Sequence, residues 1–178
     1  MGLGQESEIR RKQLKMQETD AMRIGYGCDL HRLAGNRKLI LCGVEIPFEK
    51  GLLGHSNADV AVHALIDALL GALALGDIGS FFPDSDPLYK DADSMELLKQ
   101  ILAHDAFRNW TLVNADLSIL AQKPKLAPHI GEMRQSLADA LGVDCSRISV
   151  KAKTAEGLGD IGEGRAMEAR AVVLLRRK

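Results

Sequence analysis

The stretch Ala58-Asp-Val-Ala-Val-His-Ala-Leu-Ile-Asp-Ala-Leu-Leu-Gly-Ala-Leu-Ala-Leu75 decides the fold, because it is the longest apolar-rich run in the chain. Its valines and leucines cover most of a helical surface, which is typical of a helix buried on nearly all sides. The sequence predicts that a cap at Ser56 or Asn57 begins this helix and that it ends at about Leu75, before Gly76. The rest of the domain must therefore pack around it.

Three ionisable side chains, Asp59, His63 and Asp67, interrupt this apolar helix at intervals of one turn. Buried ionisable groups cost several kcal/mol unless they are paired or bind a metal. Asp29 and His31 follow a predicted strand and project from the same face if the chain there is extended. With His63 they offer three ligands, the number found in catalytic zinc sites with an open fourth position. On these residues alone, a metal site and a hydrogen-bonded core histidine are equally supported.

Strands and helices are mixed along the chain without regular alternation, which favours an α+β fold over a doubly wound parallel sheet. The order is β-β-α-α-β-α-β-β, with a bulge or tight turn at Gly43. We predict strands at 22–28, 39–42, 44–46, 111–121, 148–152 and 168–175, further helices from Ser94 and from Pro128 to Leu141, and loops at 51–54, 76–87 and 157–164.

Composition limits the function classes. The 178 residues, of which 46% are hydrophobic, suit one domain with a true core. The chain is nearly neutral, with 23 Lys and Arg against 24 Asp and Glu, which argues against a nucleic-acid binder. Its three cysteines lack a CxxC pattern and indicate reduced thiols. No run reaches the roughly 20 apolar residues of a membrane-spanning helix. The polar residues 1–21 are predicted to be a disordered extension before a single domain at 22–178.

Several blocks of the chain resemble the 2-C-methyl-D-erythritol 2,4-cyclodiphosphate synthase family. They keep that family's order and spacing and run from residue 22 to about 176, so the resemblance covers nearly everything after the N-terminal segment. The blocks are Arg23-Ile-Gly-Tyr-Gly-Cys-Asp-Leu-His31, Gly43-Val-Glu-Ile-Pro47, Gly51-Leu-Leu-Gly-His-Ser-Asn-Ala-Asp59, Phe82-Pro-Asp-Ser-Asp-Pro87, Ala121-Gln-Lys-Pro-Lys125 and Val150-Lys-Ala-Lys-Thr-Ala-Glu-Gly-Leu-Gly159.

The resemblance implies a reaction, a fold and an assembly. The substrate would be 4-diphosphocytidyl-2-C-methyl-D-erythritol 2-phosphate, which a lyase step of the non-mevalonate isoprenoid pathway closes to the cyclic diphosphate with release of CMP. The fold would be a mixed sheet of about four main strands packed on helices, ferredoxin-like or chorismate-mutase-like. The family forms homotrimers whose sheets face the threefold axis and whose active sites lie between neighbouring subunits.

The resemblance also implies the metals and the substrate contacts. Zinc, or another divalent ion, would be held by Asp29, His31 and His63, and a second ion, Mg²⁺ or Mn²⁺, by Glu156. The substrate-binding positions would be His55 and Ser56 at the methylerythritol phosphate, Asp84 at the erythritol hydroxyls, Asp77 and Gly79 at the ribose, Ala121 to Leu126 around the cytosine, and Lys125 and Thr154 near the phosphates.

Other positions support or depart from this pattern. Asp59 and Asp67 are predicted to orient the histidines by hydrogen bonding, and Asp86 to fix its own loop. Asn57 stands where the family often has Asp. The loop 159–165 differs from the family form, with Asp160 in place of an aromatic residue and acidic and basic positions exchanged, so the resemblance does not extend to the isoprenoid-binding cavity that the family has near the threefold axis.

Two other functions are compatible with the sequence. A zinc hydrolase could use the same three ligands to activate water, although it would also need a base beside that water. A non-catalytic metal-dependent trimer could serve as a partner for another enzyme of the pathway, with which weak association is expected. We expect a cytoplasmic location in a bacterium, or the plastid stroma if the source is a plastid-bearing eukaryote.

Overall fold

The computed structural model describes residues 21–83 and 85–178. The predicted extension at residues 1–21 lies outside these ranges except for Ala21, whose carbonyl oxygen accepts a hydrogen bond from the N–H of Arg177. The predicted substrate contact of Asp84 also lies outside them.

Seven strands in the described part of the chain form a mixed sheet and a separate hairpin: β1 Met22–Gly35, β2 Leu39–Leu41, β3 Val44–Ile46, β4 Lys50–Leu53, β5 Trp110–Leu120, β6 Ile148–Lys153 and β7 Ala166–Arg177. The sheet has the order β4-β1-β7-β5-β6, and β2 pairs only with β3. All neighbours are antiparallel except β5 and β6. The predicted α+β class is confirmed, with four long strands and the short β4, which the sequence analysis assigned to a loop.

Within residues 21–83 and 85–178, five helices accompany the sheet: α1 Val60–Ala72, α2 Ile78–Phe81, α3 Ser94–Ala103, α4 Ile130–Leu141 and α5 Gly159–Gly162. Helix α1 packs on β1 and β7, and α4 connects the parallel strands β5 and β6 and packs on β6. The five strands of the sheet and its main helices follow the order β-β-α-α-β-α-β-β, which differs from the ferredoxin-like order. In the part of the chain that is described, no helix combines the length and apolarity needed to cross a membrane.

The start of α1 differs from the prediction. Its N-cap is Asp59, and neither Ser56 nor Asn57 has this role, because Asp59 Oδ1 accepts a hydrogen bond from the N–H of Val62 at 3.1 Å. The other oxygen of Asp59 accepts from the N–H of Gly43 at 2.7 Å. One fully buried carboxylate thus joins the turn of the β2–β3 hairpin to the beginning of the central helix.

The end of α1 also comes earlier than predicted, at Ala72 rather than near Leu75. Ala74 adopts φ +55°, and its N–H bonds back to the carbonyl of Gly71 while the N–H of Leu75 bonds to that of Leu70. These two bonds are those of a Schellman motif, with alanine in the left-handed position that glycine usually occupies.

Turns and short helices occupy the predicted loops. Cys42 and Gly43 have φ of 54° and 76°, as a two-residue hairpin turn requires, so the predicted tight turn is confirmed. The predicted loop 76–87 contains α2, and its last residue, Pro87, begins a 3₁₀ turn. The predicted loop 157–164 contains α5. The 3₁₀ turns are Pro87–Tyr89, Asp105–Phe107, Ala127–His129 and Cys145–Arg147.

Helix α1 lies in direct contact with the backbone of β1. A Cβ atom added at Gly25 would overlap the carbonyl oxygen of Ala68, and one added at Gly27 would overlap that of Ala64. Only glycine permits this approach, because any side chain would separate the helix from the strand. The contact brings the following residues of β1 within reach of side chains on α1.

The sheet has one covered and one open face. Odd-numbered residues of β1 from Gly25 onward face α1, and the even-numbered residues between them face away from the helices. The open face carries exposed apolar side chains, including Ile24, Tyr26, Leu30 and Val172. Exposed apolar patches of this kind mark association surfaces.

We predict that Gly27→Ala lowers the free energy of unfolding by about 1–3 kcal/mol or more, because the added methyl group overlaps backbone that cannot rotate away. The matched control is Gly131→Ala on α4, where an added Cβ meets nothing within 4 Å. That variant should gain about 0.5–1 kcal/mol from helix propensity. Urea unfolding measures both changes, and equal effects of the two variants would contradict the close approach.

Candidate metal centre

Three side chains from two elements meet where β1 leaves the contact with α1. Asp29 and His31 project from β1, and His63 projects from α1. Asp29 Oδ2 lies 2.9 Å from His31 Nε2 and 2.9 Å from His63 Nδ1, and the two ring nitrogens are 3.1 Å apart. The structure therefore brings together the three side chains predicted as metal ligands.

This triangle of donor atoms fits a divalent ion. Tetrahedral zinc with bonds of about 2.0–2.1 Å places its ligands about 3.3 Å apart, so small outward shifts of the side chains would accommodate it. One carboxylate and two imidazoles form a donor set of catalytic zinc sites, and three ligands leave a fourth position for substrate.

His31 is oriented by β4, in a segment predicted to be a loop. Its Nδ1 lies 3.1 Å from the carbonyl oxygen of Leu53, in β4. Because a carbonyl oxygen can only accept, the proton of the neutral ring is on Nδ1, and in that state Nε2 directs its lone pair at the triangle. Leu53 stands opposite Arg32 in the β1–β4 ladder, so pairing at the sheet edge determines how this histidine binds.

His63 is oriented from its other side by two hydroxyl groups. Its Nε2 lies 2.9 Å from Ser94 Oγ and 3.0 Å from Ser56 Oγ. Ser94 is fully buried at the start of α3, where the sequence predicted the beginning of a helix but no contact with His63. The sequence indicates this contact only indirectly. A histidine in a buried helix needs a hydrogen-bond partner for its second ring nitrogen, but nothing local identifies that partner as Ser94.

The prediction that Asp59 and Asp67 hydrogen-bond to the histidines is wrong. Asp59 makes the backbone bonds described above, and Asp67 Oδ1 accepts from the N–H of Ile78 at 2.8 Å. The first N–H groups of a helix have no partner within the helix. Asp59 accepts from one of them at the start of α1, and Asp67 accepts from one at the start of α2. The second nitrogens of the two histidines have other partners.

The three ligands perturb one another's protonation. Burial alone raises the pKa of Asp29, but hydrogen bonds from His31 and His63 outweigh it and hold that pKa well below its usual value. Burial alone lowers the pKa of His31, whereas its hydrogen bond and charge attraction to Asp29 raise it above the ordinary value. Asp29 is therefore ionised at neutral pH, and a metal must compete with a proton on His31.

A cavity of about 560 Å³ opens beside the triangle. It is lined by the three ligands together with Gly54, His55, Ser56, Ile78, Gly79, Phe82, Pro83, Tyr89 and Leu97. Three predicted substrate contacts, His55, Ser56 and Gly79, thus lie at the metal centre. His55 Nε2 is 3.3 Å from the carbonyl oxygen of Asp86, whose side chain accepts from the N–H of Leu88 at 2.9 Å and fixes the loop as predicted.

Asp77, predicted at the ribose, caps α2. Its Oδ1 accepts from the N–H of Ser80 at 2.8 Å and from Ser80 Oγ at 2.7 Å. These bonds from Ser80 lower the pKa of Asp77, which keeps the carboxylate ionised. Gly79, two residues further along and also predicted to contact the ribose, lines the cavity.

The remaining predicted contacts lie elsewhere on the same chain. Ala121 follows β5, two strands away from β1 and roughly 10 Å across the sheet. Its N–H donates to the carbonyl of Lys153 at 2.9 Å, and Thr154 Oγ1 donates to the carboxylate of Glu156. Neither these residues nor Lys125 lines the cavity beside the triangle.

We predict that zinc binds with an affinity that decreases about tenfold per pH unit below the raised pKa of His31, since one proton must leave Nε2. Above that pKa the dependence should flatten, because Asp29 is already ionised. Chelator competition between pH 5.5 and 8 measures this. His129→Ala, outside the cavity, should reproduce the wild-type curve. A pH-independent affinity would contradict the ligand assignment.

The chain is similar to known proteins over most of its length. The sequence profile of the YgbB family matches residues 22–176. The 2-C-methyl-D-erythritol 2,4-cyclodiphosphate synthase of Trichlorobacter lovleyi is 58% identical over 154 residues, which cover 86% of this chain and 98% of the relative.

Solved structures show the same fold. A 2C-methyl-D-erythritol-2,4-cyclodiphosphate synthase in its CDP-bound form matches at a TM-score of 0.79 and 44% identity, over 86% of this chain and 99% of that one. The bifunctional IspDF of Campylobacter jejuni matches at 0.84 and 43% identity over 88% of this chain, which spans only 42% of that protein. The chain therefore belongs to the YgbB family, with 2-C-methyl-D-erythritol 2,4-cyclodiphosphate synthases among its near relatives.

Proposed function

We propose that the protein converts 4-diphosphocytidyl-2-C-methyl-D-erythritol 2-phosphate to 2-C-methyl-D-erythritol 2,4-cyclodiphosphate and CMP, as a lyase of the non-mevalonate isoprenoid pathway. The observation that carries the proposal is the triangle of Asp29, His31 and His63 at a cavity, in a chain 58% identical to a synthase named for this product. The CDP-bound relative supports a cytidine diphosphate group as the part of the substrate that is recognised.

The reaction requires charge neutralisation, since a phosphate must approach a diphosphate. A zinc ion held by Asp29, His31 and His63 would supply Lewis acidity at the β-phosphate. Asp29 is the one anionic ligand, so the ligand set leaves a net positive charge to oppose the phosphates. Little proton transfer is needed, and alignment of the two phosphates is the protein's main task.

Residues on the cavity wall would provide this alignment. His55, held against the carbonyl of Asp86, is placed to contact the methylerythritol phosphate. Gly79, on α2 after the ionised Asp77, is placed to contact the ribose. The hydroxyl of Ser56 already bonds to His63, so we assign its contribution first to the metal ligand.

We propose that a neighbouring subunit completes the site. The predicted cytosine and phosphate contacts, Ala121, Lys125 and Thr154, lie outside the cavity of their own chain. Glu156, the predicted ligand of a Mg²⁺ or Mn²⁺ ion, is exposed beside Thr154. A second copy of the chain that brings these residues to the triangle of the first would supply the cytosine, phosphate and second-metal contacts that the cavity of one chain lacks.

The open face of the sheet supports the proposed homotrimer. Ile24 is 73% exposed, Tyr26 58% and Leu30 56%, which is costly for apolar side chains left in water. Three sheets that face a common axis would cover these side chains, and cyclic symmetry closes the assembly. We place the trimer in the cytoplasm, where its cysteines stay reduced.

We predict that the wild-type protein, given substrate with Zn²⁺ and Mg²⁺, releases CMP and forms a ring-closed diphosphate that ³¹P NMR identifies. His63→Ala should lower kcat/KM roughly a thousandfold or more, because it removes a ligand from the reacting centre. His129→Ala, a histidine replacement outside the cavity, should retain wild-type turnover. An open bisphosphate in place of the ring would identify a hydrolase and refute the proposal.

A second prediction tests whether each site combines two subunits. His63→Ala and Thr154→Ala proteins should each have greatly reduced activity. If a site takes His63 from one chain and Thr154 from its neighbour, every mixed trimer contains one intact site. Equal co-assembly of the two variants should then restore about a quarter of wild-type activity.

The control is the double variant His63→Ala/Thr154→Ala co-assembled with wild type, which must give mixed trimers of the same size in sedimentation. Activity is restored only in trimers that contain both variants. Variants that are assembled separately and then mixed should therefore stay inactive as long as their trimers do not exchange subunits. If co-assembled single variants form mixed trimers without recovered activity, the two residues act within one chain and the proposed interface site is wrong.

A further inference from the structure

We infer that Ser94 and Asn57 form a positioning relay that keeps the proton of His63 on Nε2, so that Nδ1 stays available to the metal. Neither residue is among the predicted ligands or substrate contacts. The inference rests on the proposed function only in taking the triangle as a metal site. It follows from the direction of four hydrogen bonds.

The first step is the orientation of the Asn57 amide. Its Oδ1 lies 3.3 Å from the N–H of Asp59 and 3.3 Å from the N–H of Ser94. Its Nδ2 lies 3.2 Å from Asp93 Oδ1. Backbone N–H groups can only donate and a carboxylate only accepts, so the amide cannot be reversed without three unfavourable contacts.

The second step is the direction of the Ser94 hydroxyl. Ser94 Oγ lies 2.5 Å from Asn57 Oδ1, which has no proton to give, so the hydroxyl donates to it. A hydroxyl has one proton, and the lone pairs of Ser94 Oγ remain for His63 Nε2 at 2.9 Å. The proton in that contact therefore belongs to Nε2.

The third step is the competition for this proton. Nδ1 of His63 lies 2.9 Å from Asp29 Oδ2, and this carboxylate oxygen, as an acceptor, draws the proton of the neutral ring toward Nδ1. A proton on Nδ1 would occupy the lone pair that the metal needs. The relay opposes Asp29, because Ser94 can accept from Nε2 but cannot donate to it.

The relay residues Ser94 and Asn57 are also uncharged. Ser94 is fully buried, and Ser56 Oγ, 3.0 Å from Nε2, is a second hydroxyl at the same nitrogen. A carboxylate in this place would add negative charge and make the imidazole a stronger donor. The hydroxyl relay fixes the tautomer without reducing the positive charge that opposes the phosphates.

The test measures His63 directly in the metal-free protein. Two-bond ¹H–¹⁵N spectra of the neutral ring should show the proton on Nε2 in the wild type. In Ser94→Ala and in Asn57→Ala it should shift to Nδ1, facing Asp29. Alanine suits the first turn of α3, so Ser94→Ala is expected to fold. Ser136→Ala, which removes a serine hydroxyl from α4, should keep the wild-type spectrum.

Zinc affinity by chelator competition provides the second measurement. Each single variant should bind zinc about 10–100-fold more weakly. The double variant should be no weaker than the worse single variant, because both changes break one chain of bonds. Independent structural damage would instead multiply the two losses.

Three results would overturn the inference: a wild-type proton on Nδ1, unchanged spectra in both variants, or losses that multiply. None of these depends on turnover. A wild type that releases no CMP but keeps its proton on Nε2 would refute the proposed reaction and leave the relay standing.

Discussion

The contact between α1 and β1 is the constraint on which the rest of the structure depends. At Gly25 and Gly27 the helix touches the backbone of the strand, where any Cβ atom would collide with helix carbonyls. Further along the same two elements, Asp29, His31 and His63 approach within 3.1 Å of one another. Side chains this short can share one ion only when their backbones are close. The close approach at the two glycines therefore allows the three ligand atoms to meet.

A second layer of contacts determines how the ligands point. β4 supplies the carbonyl that orients His31, and the start of α3 supplies the hydroxyl at His63. Asp59 secures the start of α1 by joining it to the β2–β3 turn. The spacing of Asp59 and Asp67 predicted hydrogen bonds to the histidines, but both carboxylates accept from backbone N–H groups. The histidines use neutral partners, which preserves positive charge for a substrate rich in phosphate.

Local periodicity explains what the sequence could predict. The i, i+4 stripe of α1 and the alternation of β1 place Asp29, His31 and His63 on facing surfaces, and both patterns need only near neighbours. β4 and Ser94 could not be identified this way. β4 is a short segment beside glycines and becomes a strand only by pairing with β1. Ser94 reaches His63 across 31 residues of sequence, a contact that tertiary packing alone creates.

The alternation of β1 also links chemistry to assembly. Asp29 and His31 face the helix, and the intervening Leu30 is 56% exposed on the open face that the proposed trimer would cover. A one-residue slip of β1 against β7 would exchange these faces, removing the ligands from His63 and placing Leu30 under the helix. The β1–β7 register therefore fixes the metal centre and the association surface together. Selection on either one constrains the other, because a change in pairing that damages the site also removes the apolar surface that would bring a neighbouring subunit to it.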